Sequence, residues 1–123
     1  MSYNTATNKY EYDFEMPAVT VDCALFRHNK ETLSPEVLLI KRRNEPYKDY
    51  WALPGGFVRM DETVEQSALR EIVEETGVNP DKLVHTGVFS EINRDPRGRV
   101  ISNAFTCIFN SQPTPVAGSD AKS

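Results

Sequence analysis

The chain is poor in residues that staple a fold or hold soft metals. It carries two cysteines and two histidines in 123 residues. There is no CxxC and no His/Cys cluster, which argues against a zinc site. Cys23 and Cys107 both fall in strand-like runs and read as small buried hydrophobes of a reducing cytoplasm rather than a disulfide. Long hydrophobic runs are missing as well. Nothing approaches the roughly 18 apolar residues of a membrane span, and the opening "MSYNTATNKYEYDFEM" has no apolar signal-peptide core. The expectation is a cytoplasmic protein without a membrane partner. Positive charge is in deficit: 14 Lys and Arg against 18 Asp and Glu give a net −4. That argues against a general nucleic-acid binder. It leaves room for a small anionic substrate, because local arginines or a metal override net charge.

What remains is globular. Hydrophobic content of 39% and charged content of 26% in a chain this short suit one domain with one core. Residues 1–15 are polar and read as an N-terminal arm or an edge strand, followed by a domain over 16–123. "PAVTVDCALFR" (17–27) is rich in β-branched residues and predicts a strand. "VLLIKRR" (37–43) is a nearly continuous apolar run and predicts a buried strand. "WALPGGFV" (51–58) predicts a strand broken at Pro54-Gly55-Gly56, where the backbone turns or approaches something closely. Trp51, opening that strand, reads as core rather than as a stacking platform.

A helix follows. Thr63 and Gln66 have capping-box spacing, Gly77 supplies the stop, and Val78 is the apolar residue expected after a glycine cap. Leu69, Ile72, Val73 and Thr76 have the spacing of a buried face. "LVHTGVFSEI" (83–92) and "RVISNAFTCIFN" (99–110) predict two strands joined by the turn "NRDPRG". The pattern predicts an α+β fold with a mixed sheet. No repeat or low-complexity segment is present, and no helical pattern appears in the tail "SQPTPVAGSDAKS".

The helix raises the functional question. Glu71, Glu74 and Glu75 fall within five residues and, at about 100° per residue, share an arc of roughly 100°. Like charges at i+3 and i+4 destabilise a helix by a few tenths of a kcal/mol each, and the macrodipole disfavours anions in the last turns. Arg70 can neutralise part of the cluster through Glu74, or reach back to Glu62. One reading is a solvated acidic face. The other is a site for a hard divalent cation, which takes oxygen ligands.

The surroundings favour the second. From Gly56 the sequence shows five residues, Glu62, seven residues, then Arg70-Glu71-Ile72-x-Glu74-Glu75-x-Gly77-Val78. This resembles the Nudix box, GX5EX7REUXEEXGU with U aliphatic, at every position. The likeness extends over about 17–110, and "VLLIKRR", "WALPGGFV" and "RDPRGRVIS" are similar to the branch that includes ADP-ribose pyrophosphatases.

The resemblance implies a hydrolase that uses water and Mg²⁺, or Mn²⁺, to split a diphosphate joining a nucleoside to another moiety. On that pattern Glu71, Glu74 and Glu75 are metal ligands, one of them able to act on the water, and the Gly55 carbonyl is a further ligand. Glu62 and Arg70 form an orienting ion pair. Arg42, Arg94 and Arg97 are the candidates for phosphate contact, each also readable as a surface arginine. The expected substrate is ADP-ribose, cleaved to AMP and ribose 5-phosphate. NADH, a nucleotide sugar or an oxidised nucleoside triphosphate are alternatives, as is an ADP-ribose-sensing domain without turnover. Members are often homodimers, and a homodimer is expected here. The family continues into another strand and a second helix; the tail shows neither, so the expectation is a C-terminally short domain. The fourth carboxylate ligand is then open, with Asp120 and, more weakly, Glu91 as candidates. His28 and His85 are given no role.

Overall fold

The computed structural model describes residues 1–45 and 47–109. The expectations about the tail, including Asp120, lie outside them. The chain runs β1 (Ser2–Asn4), β2 (Lys9–Glu11), β3 (Ala18–His28), β4 (Pro35–Val37), β5 (Ile40–Lys41), β6 (Trp51–Ala52), β7 (Gly55–Phe57), α1 (Val64–Thr76), β8 (Val84–Phe89) and β9 (Val100–Phe109). The arm over 1–15 contains a small hairpin of β1 and β2 that, among the described residues, pairs only with itself. Asn4 turns it by accepting the amides of Ala6 and Thr7 at 2.9 and 3.2 Å, the local bond that favours asparagine in turns.

The main sheet has the order β4-β3-β9-β8, with β7 also on β3. β3 and β9 are parallel, from Ala18↔Val100 to Arg27↔Phe109. β8 and β9 form the expected antiparallel hairpin, with a bulge between His85 and Gly87. The sheet is therefore mixed and the fold is α+β, as the sequence predicts. Alternation along the strands decides the core. Val21, Cys23 and Leu25 of β3, with Phe105 and Cys107 of β9, meet Ala68 and Ile72 of α1 and Val78 beyond it. Cys23 and Cys107 are buried free thiols in this cluster.

The run over 37–43 is not one buried strand. Val37 ends β4, the Leu38 amide bonds the Leu25 carbonyl at 2.9 Å, and Ile40–Lys41 then pairs with Trp51–Ala52 in a separate ribbon. The apolar run marks a change of pairing partner. Leu38 packs on the core and Ile40 is buried, while Val37 and Leu39 are exposed. Trp51 also departs from expectation. It opens the two-residue ribbon opposite Lys41 and is 57% exposed, with the Lys41 ammonium 5.8 Å from its ring centroid.

The helix ends are as predicted. Thr63 and Gln66 form both bonds of the capping box, at 2.9 and 3.1 Å, and Gly77 at φ 72° donates to the Val73 carbonyl. The buried face is different. Ser67, Ala68, Glu71, Ile72, Glu75 and Thr76 face inward, while Leu69 and Val73 are 44% and 39% exposed. The small side chains of Ser67 and Ala68 let the helix sit close to the sheet, and that contact rotates two glutamates inward.

Candidate active site

β7 lies antiparallel to β3, with Gly56 opposite Val21 and Gly55 opposite Asp22. Both glycines sit at a close approach, Gly55 to backbone and Gly56 to a side chain. A Cβ on Gly55 would lie 2.1 Å from the Val21 carbonyl oxygen, and one on Gly56 would lie 2.6 Å from Glu71 Oε1. The Gly55 amide donates to Glu75 Oε2 at 3.1 Å. The glycine strand is thus pressed against the acidic face of α1.

Glu71 and Glu75 are 6% and 2% exposed, and Glu74 points outward. Arg70 stands among them. Its Nε bonds both oxygens of Glu62 at 3.0 and 2.8 Å. One terminal nitrogen reaches Glu71 at 2.5 Å and Glu74 at 3.4 Å, and the other donates to the Phe57 carbonyl at 3.1 Å. The Ser67 hydroxyl adds a bond to Glu62 at 2.8 Å. One guanidinium therefore ties β7, the loop ahead of the helix and two turns of the helix together. The Arg70 guanidinium, with help from Ser67, holds the Glu62 carboxyl below the ordinary carboxylate range, and Glu62 in turn raises Arg70.

The charge is not fully balanced. Among the described residues, Glu71 Oε2 is buried and accepts no hydrogen bond. Burial, and then the negative charges of Asp22, Glu75 and Glu71, push the Cys23 thiol up to about 12. Among the described residues no three His, Cys, Asp or Glu side chains close on one point. The donor set is nevertheless all oxygen, and a buried carboxylate oxygen without a donor suits a hard cation.

A cleft of about 440 Å³ opens beside these acids, lined among others by Asp22, Arg42, Gly55, Glu75, Arg94 and Arg97. The three arginines proposed from the sequence share it. Arg97 is held in place: it forks onto Asp95 at 3.0 and 2.7 Å and lies 4.9 Å over the Phe57 ring. Arg97 accordingly pulls the Asp95 carboxyl down to about 2. Glu71 and Glu74 do not line the cleft, and neither does Glu91, which is exposed. Asp22 is a cleft residue that the sequence pattern does not single out. Its carboxylate accepts from the Ser102 hydroxyl and faces the cleft beside Gly55. The available signal was a single acid inside an otherwise apolar strand.

Residues 16–123 match the model of the NUDIX domain. The chain belongs to the Nudix family. Over 89 residues it is 52% identical to an ADP-ribose pyrophosphatase of Methanocaldococcus jannaschii, which covers 72% of this chain and 49% of that protein. Among solved Nudix structures, the NUDIX domain of Shewanella oneidensis NrtR complexed with ADP ribose superposes with a TM-score of 0.79 at 32% identity, covering 95% of this chain and 78% of the other. A bifunctional NMN adenylyltransferase/ADP ribose pyrophosphatase of Francisella tularensis, complexed with AMP and a Mn ion, gives 0.77 at 34% identity over 91% of this chain and 34% of that one. The chain spans about half or less of the length of the curated Nudix relatives it matches.

Proposed function

We propose that the chain is a divalent-cation-dependent Nudix pyrophosphohydrolase that cleaves ADP-ribose to AMP and ribose 5-phosphate. The observation that carries this is the buried, donorless Glu71 oxygen beneath Gly56, next to an arginine-lined cleft. A diphosphate anion and a set of buried carboxylates repel each other unless a cation stands between them. Glu71, Glu74, Glu75 and the Gly55 carbonyl are the groups that would hold Mg²⁺ or Mn²⁺. When bound, the cation supplies charge screening and water activation.

The chain's own residues do the rest. Arg42, Arg94 and Arg97 bind phosphate oxygens, for which the arginine fork is suited. Arg97 comes pre-oriented by Asp95 and Phe57, so little side-chain freedom is lost on binding. The Glu62–Arg70 pair fixes the glycine strand against the helix and holds Glu71 in register. One of the three glutamates takes the proton of the attacking water as general base. The water oxygen bonds to one phosphorus, the bridging P–O bond breaks, and the bridging oxygen leaves with the other phosphate. The pyrophosphatase relative and the ADP-ribose-bound neighbour support this choice of substrate.

Incubation with ADP-ribose and Mg²⁺, followed by chromatography, tests the reading. AMP and ribose 5-phosphate should appear and should vanish with chelator. The likeness to NrtR favours one alternative, a domain that binds ADP-ribose without turnover. Saturable binding of ADP-ribose with no AMP released would replace the hydrolase with that sensor.

A further inference from the structure

Asp22 is a charged side chain that the proposed reaction leaves without a task. It interrupts an apolar strand, and Val21 and Cys23 on either side of it face the core. By alternation Asp22 points to the opposite face of the sheet, away from α1. Thr20 and Ser102 share that face, paired across β3 and β9, and both are buried. The arginine-lined cleft reaches Asp22 and Thr20 as well as Glu75. It therefore passes over the glycine strand. The helix acids serve it from one face of the sheet and Asp22 from the other.

The two oxygens of Asp22 differ. The Ser102 hydroxyl donates to Oδ2 and fixes the carboxylate. Among the described residues nothing donates to Oδ1. That oxygen lies over Gly55, 3.1 Å from where a Cβ would stand, so the missing side chain leaves it open. A phosphate oxygen cannot be its partner, because both are acceptors and both are negative. Nor is Asp22 the main counter-ion of the cleft. The Arg97 fork lies on Asp95 at 3.0 and 2.7 Å, and Asp95 raises the Arg97 guanidinium more than Asp22 does. The partner that fits is a neutral donor. A hydroxyl meets that need and sits beside arginines without repulsion, which an ammonium would not.

We propose that Asp22 accepts hydrogen bonds from the vicinal hydroxyls of a ribose in the substrate, and so selects ribosyl phosphates over their 2-deoxy counterparts. It rests on the phosphate reading of the arginine cleft and adds what the bound phosphate must carry. Oδ1 has two lone pairs, enough for two adjacent hydroxyls. Hydrogen bonds to an ionised acceptor are the stronger kind. A site built to bond a hydroxyl rejects the analogue that lacks it, because its own acceptor is then left unpaired. Ser102 is the positioning residue. It is 1% exposed and holds the carboxylate in one pose, so little freedom is lost on binding. ADP-ribose carries a 5-phosphoribosyl group on each side of its diphosphate, so either end offers the donors. A deoxynucleotide offers fewer.

The test is equilibrium binding to the full chain at fixed Mg²⁺, with ribose 5-phosphate, 2-deoxyribose 5-phosphate and inorganic phosphate as the probes. All three carry phosphate, and none holds the diphosphate bond that the proposed reaction breaks. Wild-type protein should bind ribose 5-phosphate at least about tenfold more tightly than its 2-deoxy analogue, the scale of one hydrogen bond to a charged group. Asp22→Asn should remove most of that preference. It should not weaken inorganic phosphate, since a negative charge has left the cleft. Ser102→Ala keeps the charge but frees the carboxylate, and should lower the preference in part. Equal affinity for the two sugar phosphates in wild type, or Asp22→Asn that keeps the preference, would overturn the assignment while leaving the phosphate cleft standing. Asp22→Asn that loses all three probes to the same extent would also overturn it, and would make Asp22 a support for the arginines. Should Asp22→Asn fail to fold, Ser102→Ala decides, and the full wild-type preference in that variant would overturn the assignment. Wild type that binds none of the three would remove the phosphate reading and the ribose selection with it.

Discussion

Gly56 and Glu71 fit together so closely that a single added methyl group would strike the carboxylate: a Cβ on Gly56 would stand 2.6 Å from Oε1 and 2.7 Å from Cδ of Glu71. The obstructing atoms are the far end of a flexible side chain, which can move. Gly56→Ala should therefore leave the fold intact and displace Glu71. The expected result is a Tm close to wild type with turnover of ADP-ribose reduced by orders of magnitude. Gly55→Ala provides the contrast, because its Cβ would meet the Val21 backbone carbonyl at 2.1 Å. Backbone cannot step aside, so this variant should lose at least about 1–3 kcal/mol of stability. Thermal melts beside activity assays separate the two, and an unstable Gly56→Ala or a stable Gly55→Ala would contradict the geometry.

Arg70 serves Glu62, Glu71, Glu74 and the Phe57 carbonyl at once, with its side chain 13% exposed. Its removal strands the buried Glu71 and the partly buried Glu62, whereas the half-exposed Arg27–Glu36 pair is screened by water. Arg70→Ala should lower Tm clearly more than Arg27→Ala. Arg70→Lys should not rescue it, because an ammonium cannot reproduce the fork. Equal melting temperatures for the two alanine variants would show that the network contributes little.

The rotation of the helix has its own test. Ile72 is fully buried and Leu69 is 44% exposed. Ile72→Ala should cost about 2–5 kcal/mol, the range for a large-to-small change in a core. Leu69→Ala should cost well under half of that. Denaturant titration of both variants measures the difference, and a reversed order would restore the face read from spacing alone.

Asp95 carries a pH signature. Its carboxyl is held at about 2 by Arg97, below the ordinary 3.8. The folded state therefore binds fewer protons than the unfolded state between those values. The contribution of this pair is complete above pH 3.8 and disappears as pH falls through 2. NMR titration of the Asp95 carboxyl should show the depressed midpoint, and Arg97→Ala should return it towards 3.8. A midpoint near 3.8 in wild type would mean that Arg97 is not pinned by Asp95 in solution.

Much of the fold was legible in residues whose meaning is local. Thr63, Gln66 and Gly77 mark the helix by hydrogen bonds that each residue makes with its neighbours. The run over 17–27 shows its strand through β-branched residues, and Asp95-Pro96 with Gly98 shows its turn. The errors came where tertiary contact decides. Leu69 and Val73 have core spacing, yet Ser67 and Ala68 make the close contact and turn Glu71 and Glu75 inward. Periodicity counts apolar residues and cannot see that small ones approach a sheet more closely. "VLLIKRR" reads as one strand because nothing local reports that it changes pairing partner at Leu38. Trp51 reads as core because it opens a strand, but that strand belongs to a ribbon outside the main sheet. In the candidate site, the spacing of Glu62, Arg70, Glu71, Glu74 and Glu75 is readable in the sequence because one helix carries nearly all of it. Asp22 is not, since it comes from the far side of the glycine strand.

The central claim is that the buried acids of the helix are kept for a divalent cation, and Mn²⁺ binding followed by electron paramagnetic resonance tests it most directly. Wild-type protein should take up Mn²⁺ saturably, and Mg²⁺ should compete. Glu71→Gln should lose that binding and, with one buried negative charge fewer, should melt no lower than wild type in cation-free buffer. Wild type that leaves Mn²⁺ free in solution, or Glu71→Gln that binds it as wild type does, would contradict the account.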